Sequence, residues 1–423
     1  MSFHNSDLQH YWYSIVTAFR LASDSIRAHK LRSVLTLLGI IIGVASVVLV
    51  GAAIDGLGVY AEQSTAKAFG TDSYLVAQIA QVGRSTPAER AAKLRHNKRI
   101  RQEDVEYLRQ TTGGQILYSP YRVRTDDVKR ENETFEGASI LGVAAALSEI
   151  RDVAVEQGRF FTDQEEHTRQ NVCVIGFEIV QALFPDSSPL DQFIKIRGYD
   201  FRVVGLIEKL GSAGGQSQDN QVYIPFSSFT RLYGPDSSMA VFGKPRPGTG
   251  LDLEAGLDIT RSALRSRFGA RPGQPDNFDT LTPDAIRGFV DQILGLIAAI
   301  VVPVTMISLV VGGIVIMNIM LVSVTERTRE IGIRKSLGAR HDDIMLQFLV
   351  EAVMLAAIGG AMGLGIGAVF ARILSAVLAV SLPVTFTYVF LALVVSTLAG
   401  VLSGWYPASR AARMDPIAAL RAE

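Results

Sequence analysis

Cysteine is nearly absent: Cys173 is the only one in 423 residues. No disulfide can form within the chain, so its stability rests on packing. Cys173 lies in the run Val172, Cys173, Val174, Ile175 and reads as a small buried hydrophobe. Charge is scarce too, at 19% of residues, against roughly 25% in ordinary soluble domains. The 41 basic and 41 acidic residues cancel, which removes the global basic field that nucleic acid would require. The six histidines, His4, His10, His29, His96, His167 and His341, are too scattered for metal-ligand spacing. No G-x-x-x-x-G-K-[ST] occurs, so no P-loop can cradle ATP phosphates. Neither a G-x-S-x-G elbow nor an H-E-x-x-H helix is found. The residues predict no catalysis, metal or cofactor in this chain, and no nucleic-acid partner.

Hydrophobic residues make up 48%, and mean hydropathy is +0.25. Four stretches lack charge over roughly the 20 residues that cross a bilayer: 33–54, a long run between Asp291 and Glu326, 346–371 and 386–405. The first is longer than a signal peptide's core of about 7–15 residues and reads as an uncleaved anchor. Arginine and lysine set the orientation. Arg20, Arg27, Lys30 and Arg32 precede the first span. Arg327, Arg329, Arg334, Lys335 and Arg340 follow the second, and Arg410, Arg413 and Arg421 follow the fourth. Both termini and the 326–343 loop are therefore expected in the cytoplasm. Residues 55–292 and a short turn at 372–385 are expected on the other side of the membrane. Residues 1–32, with Tyr11, Trp12, Tyr13 and Phe19 among basic residues, read as an amphipathic helix in contact with membrane lipids. The bland alternative is a solvated leader.

The second run is too long for the membrane. Thr282-Pro283-Asp284 is a helix start: an N-cap, a proline at the first position and an acid in the first turn. A helix of about 40 residues from there would reach roughly 60 Å, twice the hydrocarbon core of about 30 Å. The excess predicts a stalk from about 283, with the span proper at 293–325. Pro303 is a site for a kink, and two helices broken there are the alternative.

Small residues recur at helical spacing. Gly39 and Gly43 lie in the first span, and Gly359, Gly363 and Gly367 in the third. In lipid this spacing lets backbones approach, so these glycines predict helix packing. Glu351 is the one ionisable residue well inside an apolar run, and a structural role is favoured over proton coupling. Apolar or alternating runs at 172–175, 193–196, 201–207 and 221–224 read as strands. Helical patterns fall at 102–109, 178–183 and 253–268. The region is thus mixed α/β, with room for a subdomain inserted at about 116–225. The basic run Arg95–Arg101 reads as a solvated loop, with an anionic ligand as the alternative. Residues 243–250, holding Pro245 and Pro247, read as a loop.

Between the second and third spans lies Glu326-Arg-Thr-Arg-Glu-Ile-Gly-Ile-Arg-Lys-Ser-Leu-Gly-Ala-Arg340. Glu330 and Arg334 are spaced to pair on one helical face. Ile331, Ile333 and Leu337 supply apolar contacts, and Gly338 ends the helix. Such a helix suits docking to a soluble partner. A plain positive-inside loop explains the charges equally well.

This segment, with Gln347-Phe348-Leu349-Val350-Glu351-Ala352, resembles the MacB/FtsX-type ABC permease signature. So do Leu31-Arg32-Ser33-Val34-Leu35-Thr36, the run from Leu38 to Val48, and Tyr406-Pro407-Ala408-Ser409-Arg410-Ala411-Ala412. In the outer region Gly158-Arg159-Phe160-Phe161-Thr162, Ala182-Leu183-Phe184-Pro185 and Asp219-Asn220 resemble that family's periplasmic core. The resemblance implies a protein of the bacterial inner membrane with four transmembrane helices, a helical stalk and an extracytoplasmic α/β domain. It implies a dimer, with a second copy or a paralogue, on two ABC ATPase subunits that bind ATP and magnesium. Glu326, Arg327, Thr328, Arg329, Glu330, Ile331, Gly332, Arg334, Lys335, Leu337 and Gly338 would form the ATPase-coupling helix. ATP-driven motion of the outer domain would export or extract a substrate, with a membrane-fusion adaptor and an outer-membrane channel as further partners. The alternatives are an FtsX-like regulator of a cell-wall hydrolase and a LolC/LolE-like lipoprotein-releasing permease. Two departures stand out. MacB carries a fused ATPase and this chain starts shortly before its first span, so a separate ATPase is expected. Asp191 stands where the family often has glycine, so that turn is expected to differ.

Overall fold

The computed structural model describes residues 30–83, 85–213, 216–235, 238–378 and 380–421. The interfacial helix expected at 1–32, with Tyr11, Trp12, Tyr13 and Phe19, falls outside the described residues up to position 29. The chain divides into two compact units, Met1–Tyr60 with Ile293–Glu423, and Ala61–Gln292.

The first unit is helical. Its long helices are α1 (Lys30–Phe69), α2 (Pro283–Glu326), α4 (His341–Leu378) and α5 (Phe386–Ala412); α3 (Thr328–Ser336) and α6 (Pro416–Arg421) are short. The division between units falls within α1 and within α2. All four long helices are long and apolar enough to cross a membrane. A helix satisfies every backbone group internally, which is what a lipid environment demands. At 1.5 Å per residue, the 40 residues of α1 and 44 of α2 extend about 60 and 66 Å. Each is about twice the hydrocarbon thickness.

Local chemistry sets the helix ends. Ala285 donates its N–H to Thr282 Oγ1 at 3.2 Å, one residue before α2. α2 then runs unbroken through Pro303, so the two-helix alternative is not what the chain adopts. α1 stops at Gly70, whose N–H makes the last helical bond to Ala66 O at 2.7 Å and whose φ of 77° turns the chain out of the helix. α4 is longer at both ends than the apolar run 346–371. Asp342 and Asp343 sit in its first turn, where acids favour a helix start, and the Arg340 N–H bonds Asp343 at 3.2 Å. No proline interrupts 372–378, so the helix also takes in the first half of the expected 372–385 turn. The absence of charge locates a span but does not fix the last turn of its helix.

The second unit is built on one mixed sheet. Its strands are β1 (Tyr74–Ala77), β2 (Ile116–Arg130), β3 (Glu133–Val143), β4 (Val155–Gly158), β5 (Val172–Ile175), β6 (Phe193–Ile196), β7 (Tyr199–Ile207), β10 (Gln221–Pro225), β11 (Ala240–Pro245) and β12 (Asp279–Leu281). The two-residue strands β8 (Ser212–Ala213) and β9 (Gln216–Ser217) pair separately. The large sheet runs β12-β1-β11-β2-β3-β10-β5-β7-β4, with β6 joined to β2 and β7. β3–β10 and β5–β7 are parallel and the other pairs antiparallel. Strands within 116–225 are thus hydrogen bonded to β11, and through it to β1 and β12. Helices Phe177–Leu183 and Phe226–Tyr233 cover one core, around Ile140, Ile175, Phe201 and Phe229. Helices Gln102–Thr111 and Leu253–Arg267 cover another, around Tyr74, Leu108, Tyr118 and Leu264. Cys173 is wholly buried, and burial raises its thiol pKa far above the usual range.

The structure corrects the loop reading at 243–245, because Gly243, Lys244 and Pro245 close strand β11, and leaves 246–250 as a loop. A Cβ at Gly243 would sit 2.5 Å from the Tyr74 ring, so only glycine fits there. Pro245 takes the last register position, opposite Ile116, where its missing donor matters least. Lys244 is buried and bonds Asp152 at 2.7 Å and Glu149 O at 3.1 Å. Asp191 adopts φ 61°, the left-handed region that Asp tolerates better than most residues. Its N–H bonds Val203 O at 2.8 Å, so aspartate takes up the conformation that a glycine would adopt at this turn.

The segment 158–162 has a packing logic. Gly158 has φ 78°, and a Cβ there would sit 2.4 Å from Val204 O. Arg159 donates two hydrogen bonds to Glu165, at 2.7 and 2.8 Å. Phe161 is buried, and Thr162 caps the helix Asp163–His167. The Arg159 hydrogen bonds hold Glu165 at a pKa of about 2, below its usual 4.5. A carboxyl with a depressed folded-state pKa stabilises the fold above its unfolded pKa and loses that contribution as pH falls. Arg159 is half exposed, so the contribution is on the order of 1–2 kcal/mol. Glu165→Gln is expected to lower stability by that amount at pH 7, with the gap closing between about pH 4.5 and 2. Thermal melts of wild type and variant across that range would show it; a pH-independent gap would contradict the assignment.

Candidate coupling site and helix seams

α3 is held to the first unit by one face. Ile331 is 3% exposed and joins the core of Met320, Val324, Ile344, Phe348 and Ala408. Gly332 beside it is buried. Lys335 donates to Ala412 O at 2.6 Å and Met414 O at 2.7 Å. It thereby caps the carbonyl end of α5, where a cation is favoured. Arg334 bonds Gln347 on α4 at 2.6 Å and Glu330 at 2.5 Å. Arg327 comes within 3.8 Å of Glu351, whose side chain is 6% exposed. Thr328 bonds Thr325 O at 2.8 Å, and Gly338 closes the helix with φ 96°.

The opposite face is open. Glu326, Arg329, Glu330, Ile333, Leu337 and Gly338 are exposed, Leu337 at 83% and Ile333 at 46%. The sequence-predicted set therefore separates into two kinds of residue. Ile331, Gly332, Arg334 and Lys335 anchor the helix. Arg329, Glu330 and Leu337 present a surface, joined by Ile333. The two isoleucines are only two positions apart, and no local signal distinguishes the buried one from the exposed one.

The glycines lie along seams between helices. A Cβ at Gly39 would sit 2.6 Å from Gly312 Cα, so α1 and α2 meet backbone to backbone. At Gly43 it would meet the Leu309 side chain at 2.8 Å. Gly359, Gly363 and Gly367 of α4 face α1, against Ile40 at 3.2 Å, Ile41 O at 2.8 Å and Ala45 O at 3.0 Å. All five face another helix at close range, the geometry that small residues permit in lipid. Sequence reasoning passed over Gly312, and also Gly400 and Gly404, which press on Ala356 and Ala352 at 2.6 and 2.5 Å. The four-residue spacing of the last two was visible and could have flagged them. It also passed over Asp55, which accepts hydrogen bonds from Thr385 and Tyr388, both at 3.0 Å.

Comparison with known proteins gives the context for this geometry. Residues 33–254 match the MacB-like periplasmic core domain, and 293–416 match the FtsX-like permease C-terminal domain. The macrolide export ATP-binding/permease protein MacB of Bdellovibrio bacteriovorus is 35% identical over 411 residues, 95% of this chain and 61% of that protein. The chain thus spans about three fifths of the length of that relative. The ABC transporter permease YknZ of Bacillus subtilis is 32% identical over 416 residues, 97% of this chain and 100% of that protein. The crystal structure of the periplasmic region of MacB from Actinobacillus actinomycetemcomitans aligns with TM-score 0.42 at 17% identity, over 53% of this chain and 95% of that one. Both domain matches and the full-length likeness to YknZ lead to one conclusion: the chain belongs to the MacB/FtsX-like family of ABC transporter permeases.

Proposed function

We propose that this chain is the permease subunit through which ATP hydrolysis on an ABC ATPase moves an extracytoplasmic domain, driving export or extraction of a substrate. The observation that carries the reading is α3: one face is pinned to α2, α4 and α5, and the other presents Ile333 and Leu337 to solvent. Exposed apolar side chains on a rigid helix are suited to a hydrophobic cleft in a partner. The pinned face gives a push on α3 a direct path into the membrane helices. α1 and α2, each about twice as long as the hydrocarbon is thick, supply rigid levers beyond it. The ATPase binds ATP and magnesium, and this chain contributes no catalytic group. The relatives' name, macrolide export ATP-binding/permease protein, supports both an ATPase partner and an exported substrate. A second permease copy, a membrane-fusion adaptor and an outer-membrane channel complete the assembly. The chain sits in the inner membrane with α3 and both termini in the cytoplasm, in keeping with the arginines and lysines at 327–340 and 410–421.

Spin labels at Ser381→Cys and Asp200→Cys in a Cys173→Ala background test the motion. Both positions are exposed, one in each unit. In the reconstituted complex with a co-expressed ABC ATPase, trapping ATP with vanadate should shift the interlabel distance beyond the width of the nucleotide-free distribution. Overlapping distributions from an ATPase that turns over would refute a moving outer domain.

A further inference from the structure

The outer domain carries a basic pocket that the coupling function does not use. A cavity of about 430 Å³ is lined by Lys98, Arg99, Arg101, Glu103, Asp104, Arg267 and Phe268. That volume lies within the range of small-ligand sites. Four cations face two carboxylates, and the carboxylates are unequally available. Asp104 is buried and already serves two donors, the Arg101 N–H at 2.9 Å and Arg267 Nε at 3.1 Å. Glu103 is 78% exposed and comes only within 3.9 Å of Arg267. Among the described residues, the side-chain cations of Lys98, Arg99 and Arg101 have no carboxylate within 4.0 Å.

The pocket wall is pre-formed. Lys98 N–H bonds Asn277 O at 2.7 Å, and Met239 N–H bonds Ile100 O at 3.1 Å. Ile100 is fully buried between the two exposed arginines, so it stakes the loop from below. Arg267 is fixed by Asp104 on one side and by stacking over Tyr107 at 5.3 Å on the other. Several like charges held together on a fixed loop repel one another, and a multivalent anion relieves that repulsion. Guanidinium groups match phosphate oxygens in a fork geometry that a lone ammonium lacks.

We propose that the pocket formed by Lys98, Arg99, Arg101 and Arg267 binds a phosphate-bearing anion on the outer side of the membrane. The phosphate group is the recognised feature, whether it belongs to a soluble phosphate ester or to a lipid headgroup. Such a site would hold an anionic substrate or an anionic envelope component against the domain that moves.

The test uses the full chain. Sodium pyrophosphate is titrated calorimetrically into detergent-solubilised protein, with sodium chloride at matched ionic strength as the reference. Separately, the chain in phosphatidylcholine nanodiscs is floated with vesicles of phosphatidylcholine alone or mixed with phosphatidylglycerol. The double variant Arg99→Ala, Arg101→Ala replaces exposed side chains only, so its melting temperature should match wild type. Lys195→Ala, an exposed cation elsewhere in the unit, is the control. Saturable pyrophosphate binding that weakens at least tenfold in the double variant, and not in the control, supports a soluble ligand. Flotation with the phosphatidylglycerol vesicles alone, lost in the double variant, supports a headgroup. Absence of both signals in wild type, or equal signals in wild type and double variant, overturns the proposal.

Discussion

Replacing Ile333 and Leu337 together by aspartate is expected to weaken ATPase association by two to three orders of magnitude while leaving the melting temperature of the isolated permease unchanged. Both side chains are exposed, Ile333 at 46% and Leu337 at 83%, so their replacement removes little internal packing. At an interface, truncating a central apolar anchor costs about 2 kcal/mol or more, and two such anchors with added charge cost about 3–4 kcal/mol, with each 1.4 kcal/mol a factor of ten. Ile331→Asp makes the opposite prediction. That side chain is 3% exposed, so an unpaired carboxylate would be buried and the fold should fail first. Pull-down of the ATPase with each variant, together with melts of the permease alone, separates the two faces. Undiminished association of the double variant would remove α3 from the interface.

Gly363→Ala is expected to destabilise the membrane unit, whereas Gly365→Ala on the same helix should be neutral or stabilising. A Cβ at Gly363 would lie 2.8 Å from Ile41 O and 2.9 Å from Val44 Cβ, and a backbone oxygen cannot rotate aside. Overpacking of that kind costs about 1–3 kcal/mol. Nothing lies within 4 Å of a Cβ at Gly365, and alanine is the better helix former by about 1 kcal/mol. Gly39→Val should be worse than either, because α1 and α2 touch through backbone there. Thermal melts in detergent would give the order Gly365→Ala, Gly363→Ala, Gly39→Val from most to least stable. Equal losses at 363 and 365 would mean that the seam does not depend on close approach.

The four membrane helices were legible because absence of charge over 20 residues is a one-dimensional signal with one physical cause. The start of α2 at Thr282-Pro283 was legible for the same reason, since capping is local chemistry. The spacing of Gly359, Gly363 and Gly367 showed that a close contact exists. It could not show that the partner is the Ile40, Val44, Val48 face of α1, because helix pairing is not encoded locally. β11 was misread because Gly243 and Pro245 are turn residues in isolation; only the Tyr74 ring across the sheet explains the glycine. The β2–β3 hairpin was passed over because its turn at Glu131, φ 50°, uses neither the Asn-Gly nor the Asp-Gly signal. In α3 the sequence indicated a charged helix with apolar residues. Which isoleucine is buried depends on where α4 and α5 lie, and that is tertiary information.

The proposed coupling runs from ATP hydrolysis through α3 to the outer domain. The most direct test is the Ser381→Cys to Asp200→Cys distance, measured side by side in the wild-type complex and with Ile333→Asp, Leu337→Asp, at ATPase concentrations where nucleotide is being turned over. A nucleotide-dependent shift is expected in the first and none in the second. An unchanged distance in the wild-type complex, or the same shift in both, would contradict it.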